Sequence, residues 1–386
     1  MLNLEEQIIN QINKAKNILV VFSSDANGDA IGSSLALLLF LKKIDKRVTV
    51  ASAFSQNKTK PSEQVAWSFL PAYNTIDHDL RNLRKFIVSL NIRNAKISQI
   101  KYNVEGEKLN FIIAPEQGWF GPEDVSSASG GFEYDLIFTI NTPDLESLGQ
   151  LYDNNVEFFY KTTIINLDHQ ANNEEYGQIN YLDINLSSSA EIIFKLINSY
   201  NKELLDEDIA TCLLTGIIVK TKNYKSPNLT PLTLLTSSKL ISAGAQREQI
   251  INNLYRSRSL SSLKSWGKIL NNLKNNDHKT IAWSLINQTN EDLHTAESLN
   301  LHELAEEILS GSPDTKILLI NIVALNQKSA QLFIFANKGI SALKVLKTFS
   351  ATGTNQEAKI ELDPWPLNWQ EDIIQPIEDY LAKNPY

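Results

Sequence analysis

The stretch "NILVVFSSDANGDAIGSSLALLLF" covers residues 17–40 and places three kinds of sequence in series. An apolar run, Ile18–Phe22, reads as a buried strand, and a second run, Leu35–Phe40, reads as a helix. Between them, residues 23–34 form a polar turn with two glycines, two acids (Asp25 and Asp29) and no histidine. A strand followed directly by such a turn and a helix is how open α/β sheets build a ligand site at a carboxyl end. The turn therefore raises the question of whether it carries catalysis or only its scaffold.

Further along, Val48–Ala51, Leu136–Ile140 and Thr163–Leu167 repeat the apolar run, each followed by a polar turn and separated by helix-like segments. That alternation predicts a parallel sheet with crossover helices, and the fold class is α/β. Between residues 80 and 131 the rhythm changes. Ile100, Tyr102 and Val104, then Leu109, Phe111 and Ile113, alternate with polar residues around Glu105-Gly106-Glu107, which predicts an inserted β-hairpin. The stretch 117–131 reads as a turn-rich loop, with Trp119 and Phe120 packed against the hairpin. Helices joined by the 225–231 loop follow from Asp208. A second alternation from Thr280 predicts a smaller α/β domain with strands near 316–323 and 330–335. The expected division is a first domain over 1–253, a helical linker over 254–278 and a second domain over 279–386.

The 386 residues allow two or three domains of about 150 residues. The formal charge is −8, and residues 279–386 hold 8 lysines, no arginine and 14 acids, a net −6. An acidic chain of this kind argues against long nucleic acid as a partner. No run of 18 apolar residues and no leader pattern occurs, so the expected location is the cytoplasm, away from membranes. The single cysteine, Cys212, lies among Leu213, Leu214, Ile217 and Ile218 and reads as a core thiol. His78, His278, His294 and His302 have no metal-ligand spacing. "YRSRS" (255–259) and "HELAEE" (302–307) read as helix surface, and "DPWPLNW" (363–369) as packing at the end of the second domain or at a subunit interface.

Four segments in order resemble the DHH phosphoesterase family, in the branch with a DHH-associated C-terminal domain that includes oligoribonucleases and pAp phosphatases. The family's opening pattern, His-x-x-x-Asp-x-Asp-Ala-x-Gly-Ser, corresponds here to Ser23, Asn27, Asp29, Ala30, Gly32 and Ser33. The family's metal-bridging aspartate falls on Asn141. Its Asp-His-His signature reads Asp168, His169 and Gln170, and its fourth aspartate falls on Lys220. The family's glycine-rich substrate motif aligns with 349–360, keeping Gly353 and Ala358 and placing Thr354 at the histidine.

The resemblance implies a two-metal site, which needs carboxylates and imidazoles holding two cations about 3.5–4 Å apart. Of those ligands only Asp29 and His169 remain, with Asp168 beside them. Neutral Asn27 and Asn141, the replaced imidazoles at Ser23 and Gln170, and the ammonium of Lys220 all oppose metal binding. Lys220 is expected to pair with Asp29 or Asp168. The expectation is a catalytically impaired homologue that binds a nucleotide-like ligand or a protein partner, with no resident cofactor. The alternative is a divergent phosphoesterase acting on pAp, short oligoribonucleotides or cyclic dinucleotides, with one Mn²⁺ or Mg²⁺ at Asp29, Asp168 and His169. Gly28, Gly32, Ser33 and Gly353 are either an anion cradle or simply positions of tight backbone packing. A homo-oligomer is compatible with either reading.

Overall fold

The protein is described from a computed structural model, covering residues 3–25, 27–54, 67–81, 83–255, 260–287, 301–324, 329–337, 339–346, 349–364, 366 and 368–383. The chain divides into two compact units, Met1–Arg256 and Ser257–Tyr386. His294 and most of the 255–259 stretch lie outside the described residues.

In the first unit, helix α1 (Leu4–Lys14) leads into strand β1 (Asn17–Phe22), helix α2 (Gly28–Lys43) and strand β2 (Arg47–Ala51). A short β3 (Ile76–Asp77) follows, then four inserted strands, then β8 (Leu136–Ile140), β9 (Thr163–Asp168) and β10 (Ile179–Leu182). The sheet order is β10-β9-β8-β1-β2-β3, with every pairing parallel. A parallel sheet must be covered on both faces, which is why β1 and β8 are almost wholly apolar and the polar residues inside β8 and β9, Thr139 and Asn166, are buried. One face of β1 (Ile18, Val20, Phe22) joins α1 and α2 in the main core; the other (Leu19, Val21) joins Ile137, Leu148 and Phe158.

Helix α2 is buried along nearly its whole length, because a second helical layer lies over it. This layer includes α3 (Ser189–Asn201) and α4 (Glu207–Lys220). Glycine permits the approach of α2 to α4. A Cβ on Gly32 would overlap the carbonyl oxygen of Cys212, and Cys212 itself is fully buried, its thiol pKa pushed up by desolvation.

The insertion consists of two separate ribbons. Strand β4 (Arg84–Leu90) pairs antiparallel with β7 (Val125–Phe132), and β5 (Lys96–Glu105) pairs with β6 (Lys108–Gln117). Two sequence expectations change here. Much of the expected 117–131 loop is strand β7, whose Ser- and Gly-rich sequence has low intrinsic β preference and is held by pairing with β4. Trp119 does not pack on the hairpin: it is 89% exposed.

The second unit has a mixed sheet in the order β11-β12-β13-β14-β16-β15. Its strands are β11 (Lys274–Asn275), β12 (Ile281–Asn287), β13 (Ile317–Val323), β14 (Ala330–Ala336), β15 (Thr352–Gly353) and β16 (Glu357–Leu362), and only β12 and β13 run parallel. Much of the expected 254–278 connection belongs to this unit. Helix α5 (Leu260–Asn271) packs Trp266 and Ile269 against Leu318 and Ile320, and β11 extends the sheet. In the 363–369 tail, Trp369 meets Trp283 edge-on, with ring centres 6.1 Å apart. Among the described residues no helix is long and apolar enough to cross a membrane.

Candidate functional site

Strands β1, β8 and β9 end side by side, so the residues that follow them share one edge of the sheet. Asp29 lies on the first turn of α2, Asn141 follows β8, and Asp168 ends β9, ahead of His169 and Gln170. The parallel topology thus gathers positions that are more than a hundred residues apart in sequence.

At the centre is a chain of neutral amides. The Asn27 side chain caps α2, its Oδ1 accepting from the N–H groups of Asp29 and Ala30 at 3.0 Å each. The same oxygen accepts from Asn141 Nδ2 at 3.2 Å, and Asn141 Oδ1 accepts from Gln170 Nε2 at 2.8 Å. Asn141 holds a left-handed backbone (φ 50°), which asparagine tolerates better than most residues.

Both acids are fully buried and already supplied with donors. Asp29 Oδ1 accepts from Ser33 Oγ at 3.2 Å and Ala190 N at 3.1 Å, and Oδ2 accepts from Ser189 N at 2.9 Å. Asp29 thereby caps the start of α3 from a different helix. Burial raises its pKa, opposed by those hydrogen bonds and by the charge of Lys220. Asp168 Oδ1 accepts from the backbone of His169 and Gln170, and Oδ2 from Asn173 Nδ2 at 2.8 Å.

His169 lies between the acids. Its Nδ1 is 3.1 Å from Ser189 Oγ, 3.8 Å from Asp29 Oδ2 and 3.7 Å from Asp168 Oδ1. Burial, followed by repulsion from Lys220, pulls the imidazole pKa down to about 4 against the opposing pull of Asp168, so the ring is neutral at neutral pH. Its Nε2 is buried with no hydrogen-bond partner among the described residues.

The expected ion pair of Lys220 is not formed. Lys220 is the half-buried last residue of α4, and it acts on Asp29 and His169 through space rather than in contact with either acid. The physical reason is that the carboxylate oxygens of Asp29 and Asp168 already accept from neutral donors. Ser23 stands apart from the amide chain, its Oγ donating to the Ser147 carbonyl at 3.3 Å.

The glycines are occupied by packing. A Cβ on Gly28 would collide with the Trp67 indole and with Val219. Ser33 is spent on Asp29. In the second unit Gly353 (φ 137°) makes a tight turn, and a Cβ there would overlap the Glu357 carbonyl. The hydroxyl of Thr354 accepts from the N–H groups of Gln356 and Glu357, which closes the same turn. His302, within the 302–307 helix surface, lies beside Glu306 and Glu357 at 3.6 and 3.0 Å. Sequence reasoning missed Asn173 and Tyr176. Asn173 bridges Asp168 and the Thr142 carbonyl, and the Tyr176 hydroxyl donates to Thr139 and Thr142. The polar run "NNEEYG" after the Asp-His pair was the available signal.

The donor set does not fit a pair of divalent cations. Asp29 and Asp168 are committed to internal donors, two amides stand at carboxylate positions, and an ammonium is nearby. Among the described residues no group of three His, Cys, Asp or Glu side chains has metal-binding geometry.

A parallel α/β sheet with a polar site at its carboxyl edge, supplied by a Gly-containing turn and an Asp-His pair, defines the class to which the molecule belongs. The family model described as "DHH family, N-terminal domain" matches residues 17–217, and the chain belongs to the DHH family. Two curated relatives are bifunctional oligoribonuclease and PAP phosphatase NrnA proteins. That of Thermus thermophilus is 30% identical over 107 residues, 28% of this chain and 32% of the relative; that of Bacillus subtilis is 28% identical over 112 residues, 28% and 36% respectively. These alignments span about a third of each relative's length. A solved exopolyphosphatase-related protein from Bacteroides fragilis shares the fold, with a TM-score of 0.64 at 17% identity over 98% of this chain and 97% of its own.

Proposed function

We propose that this chain is a DHH-family homologue that binds a nucleotide-like phosphorylated ligand and lacks two-metal hydrolysis. The observation that carries the reading is the Asn27–Asn141–Gln170 amide chain, whose members hydrogen-bond one another at positions where the family resemblance implies ligands to cations. A two-metal site also needs negative charge to balance its cations. Here two of those charges are neutral and Lys220 brings a positive one. An anionic phosphate is favoured near an ammonium for the same electrostatic reason that a metal ion is disfavoured.

One observation favours retained hydrolysis instead. The buried His169 Nε2 is without a hydrogen-bond partner among the described residues, and a single Mn²⁺ or Mg²⁺ at that nitrogen would give it one. Titration of pAp and of a diribonucleotide into the chain, in EDTA and then in Mn²⁺, separates the two readings. Binding in EDTA without turnover in Mn²⁺ is the expected result. Turnover that requires Mn²⁺ and is abolished by Asp29→Ala contradicts it.

A further inference from the structure

The β5–β6 hairpin is a half-built sandwich. Its register opposes Val104 to Leu109, Tyr102 to Phe111 and Ile100 to Ile113, so these six side chains form one face. The alternate residues, among them Lys101, Asn103, Glu105, Lys108 and Asn110, form a mostly polar face. Among the described residues nothing is packed on the apolar face: exposure runs from 54% at Leu109 to 73% at Tyr102, and Ile113 is half-buried. A two-stranded hairpin is marginal alone, and stability requires further strands or a packed face. A soluble monomer rarely leaves a contiguous apolar patch of this kind uncovered.

We infer that the occupant of this face is the same face of a second copy, the two hairpins stacking as two sheet layers with the tip of one over the base of the other. The area is suitable. Six side chains of this size, on residue areas of about 150–250 Å² for the aromatics, expose on the order of 600 Å² per copy. That approaches the roughly 800 Å² per partner of a standard interface. Charge selects the orientation. The tip carries Glu105, Glu107 and Lys108, a net −1, and the base carries Arg93, Lys96 and Glu116, a net +1, all on exposed residues. Tip over base brings unlike ends together twice, whereas tip over tip brings four acids together. Sheets stacked face to face bury such side chains in a layer about 10 Å thick.

The test uses the full-length chain. Sedimentation velocity across a concentration series is expected to show a reversible dimer, and Phe111→Lys is expected to raise the dissociation constant at least tenfold, with an unfolding curve unchanged at concentrations where both chains are monomeric. A wild-type chain that stays monomeric throughout, or a dimer indifferent to Phe111→Lys, overturns the inference. Orientation is read by oxidative crosslinking, for which the one native cysteine is buried and silent. A mixture of Val104→Cys and Ile113→Cys chains is expected to give the mixed disulfide dimer. Val104→Cys chains that crosslink faster with themselves than with Ile113→Cys chains overturn the tip-over-base arrangement.

Discussion

The site and the inserted hairpin treat their side chains in opposite ways. At the sheet edge the polar groups are buried or half-buried and largely joined by hydrogen bonds: two acids, three amides and two serines are tied to one another or to nearby backbone. On the β5–β6 ribbon the groups are apolar and uncovered. A buried polar cluster satisfied from within rigidifies a fold and has little left to offer a cation, whereas an exposed apolar face gains its stabilisation only when something covers it. The first region has few polar groups left over for a cation, and the second has apolar surface left over for a partner.

The comparison can be broken most forcefully at Gly32. Gly32→Ala places a methyl group against the Cys212 carbonyl, so α2 and α4 must separate; chemical denaturation is expected to show a loss of about 2–4 kcal/mol. Next in size, Asn141→Ala removes the middle of the amide chain, leaves Gln170 Nε2 without its acceptor, and puts alanine at the left-handed backbone of position 141. The expected loss is about 2 kcal/mol.

A third test uses pH. The depressed His169 pKa means that the folded chain keeps a neutral ring where the unfolded chain, near its ordinary 6.5, takes a proton. This stabilisation is present above about 6.5 and is lost as pH falls toward about 4. The raised pKa of Asp29 acts with the opposite sign, because the folded state then holds the proton more readily. Comparing unfolding of the wild type and His169→Gln across that window isolates the histidine. The variant is expected to lose less stability on acidification. The smallest effect belongs to the hairpin: Phe111→Lys is expected to change monomer stability by less than about 0.5 kcal/mol, because its side chain is exposed.

Much of this was legible in the sequence because buried parallel strands leave a strong pattern. The runs at 18–22, 48–51, 136–140 and 163–167 are mostly apolar and stop at polar turns, and the alternation at 100–113 announced a hairpin with one apolar face. The positions of Asp29, Asn141 and Asp168 followed from the resemblance to the family's motifs, and the strand runs placed those motifs at the carboxyl edge of the sheet. Strand β7 was hidden, since "VSSASGGF" becomes a strand only through its partner β4. The partners of the acids were hidden for another reason. Backbone N–H groups of Ser189 and Ala190 leave no side-chain signature, so a carboxylate apparently available to Lys220 was already engaged. The Trp67 ring over Gly28 likewise depends on tertiary packing between distant segments.

The central claim is that the sheet-edge site has exchanged cation binding for internal hydrogen bonding. Calorimetric titration of Mn²⁺ into metal-free wild type, beside a variant carrying Asn27→Asp, Asn141→Asp, Gln170→His and Lys220→Asp, tests it directly. The account predicts no stoichiometric Mn²⁺ binding by the wild type, and binding by the variant accompanied by a rise in its melting temperature. Tight stoichiometric Mn²⁺ binding by the wild type, lost in Asp29→Ala, would contradict it.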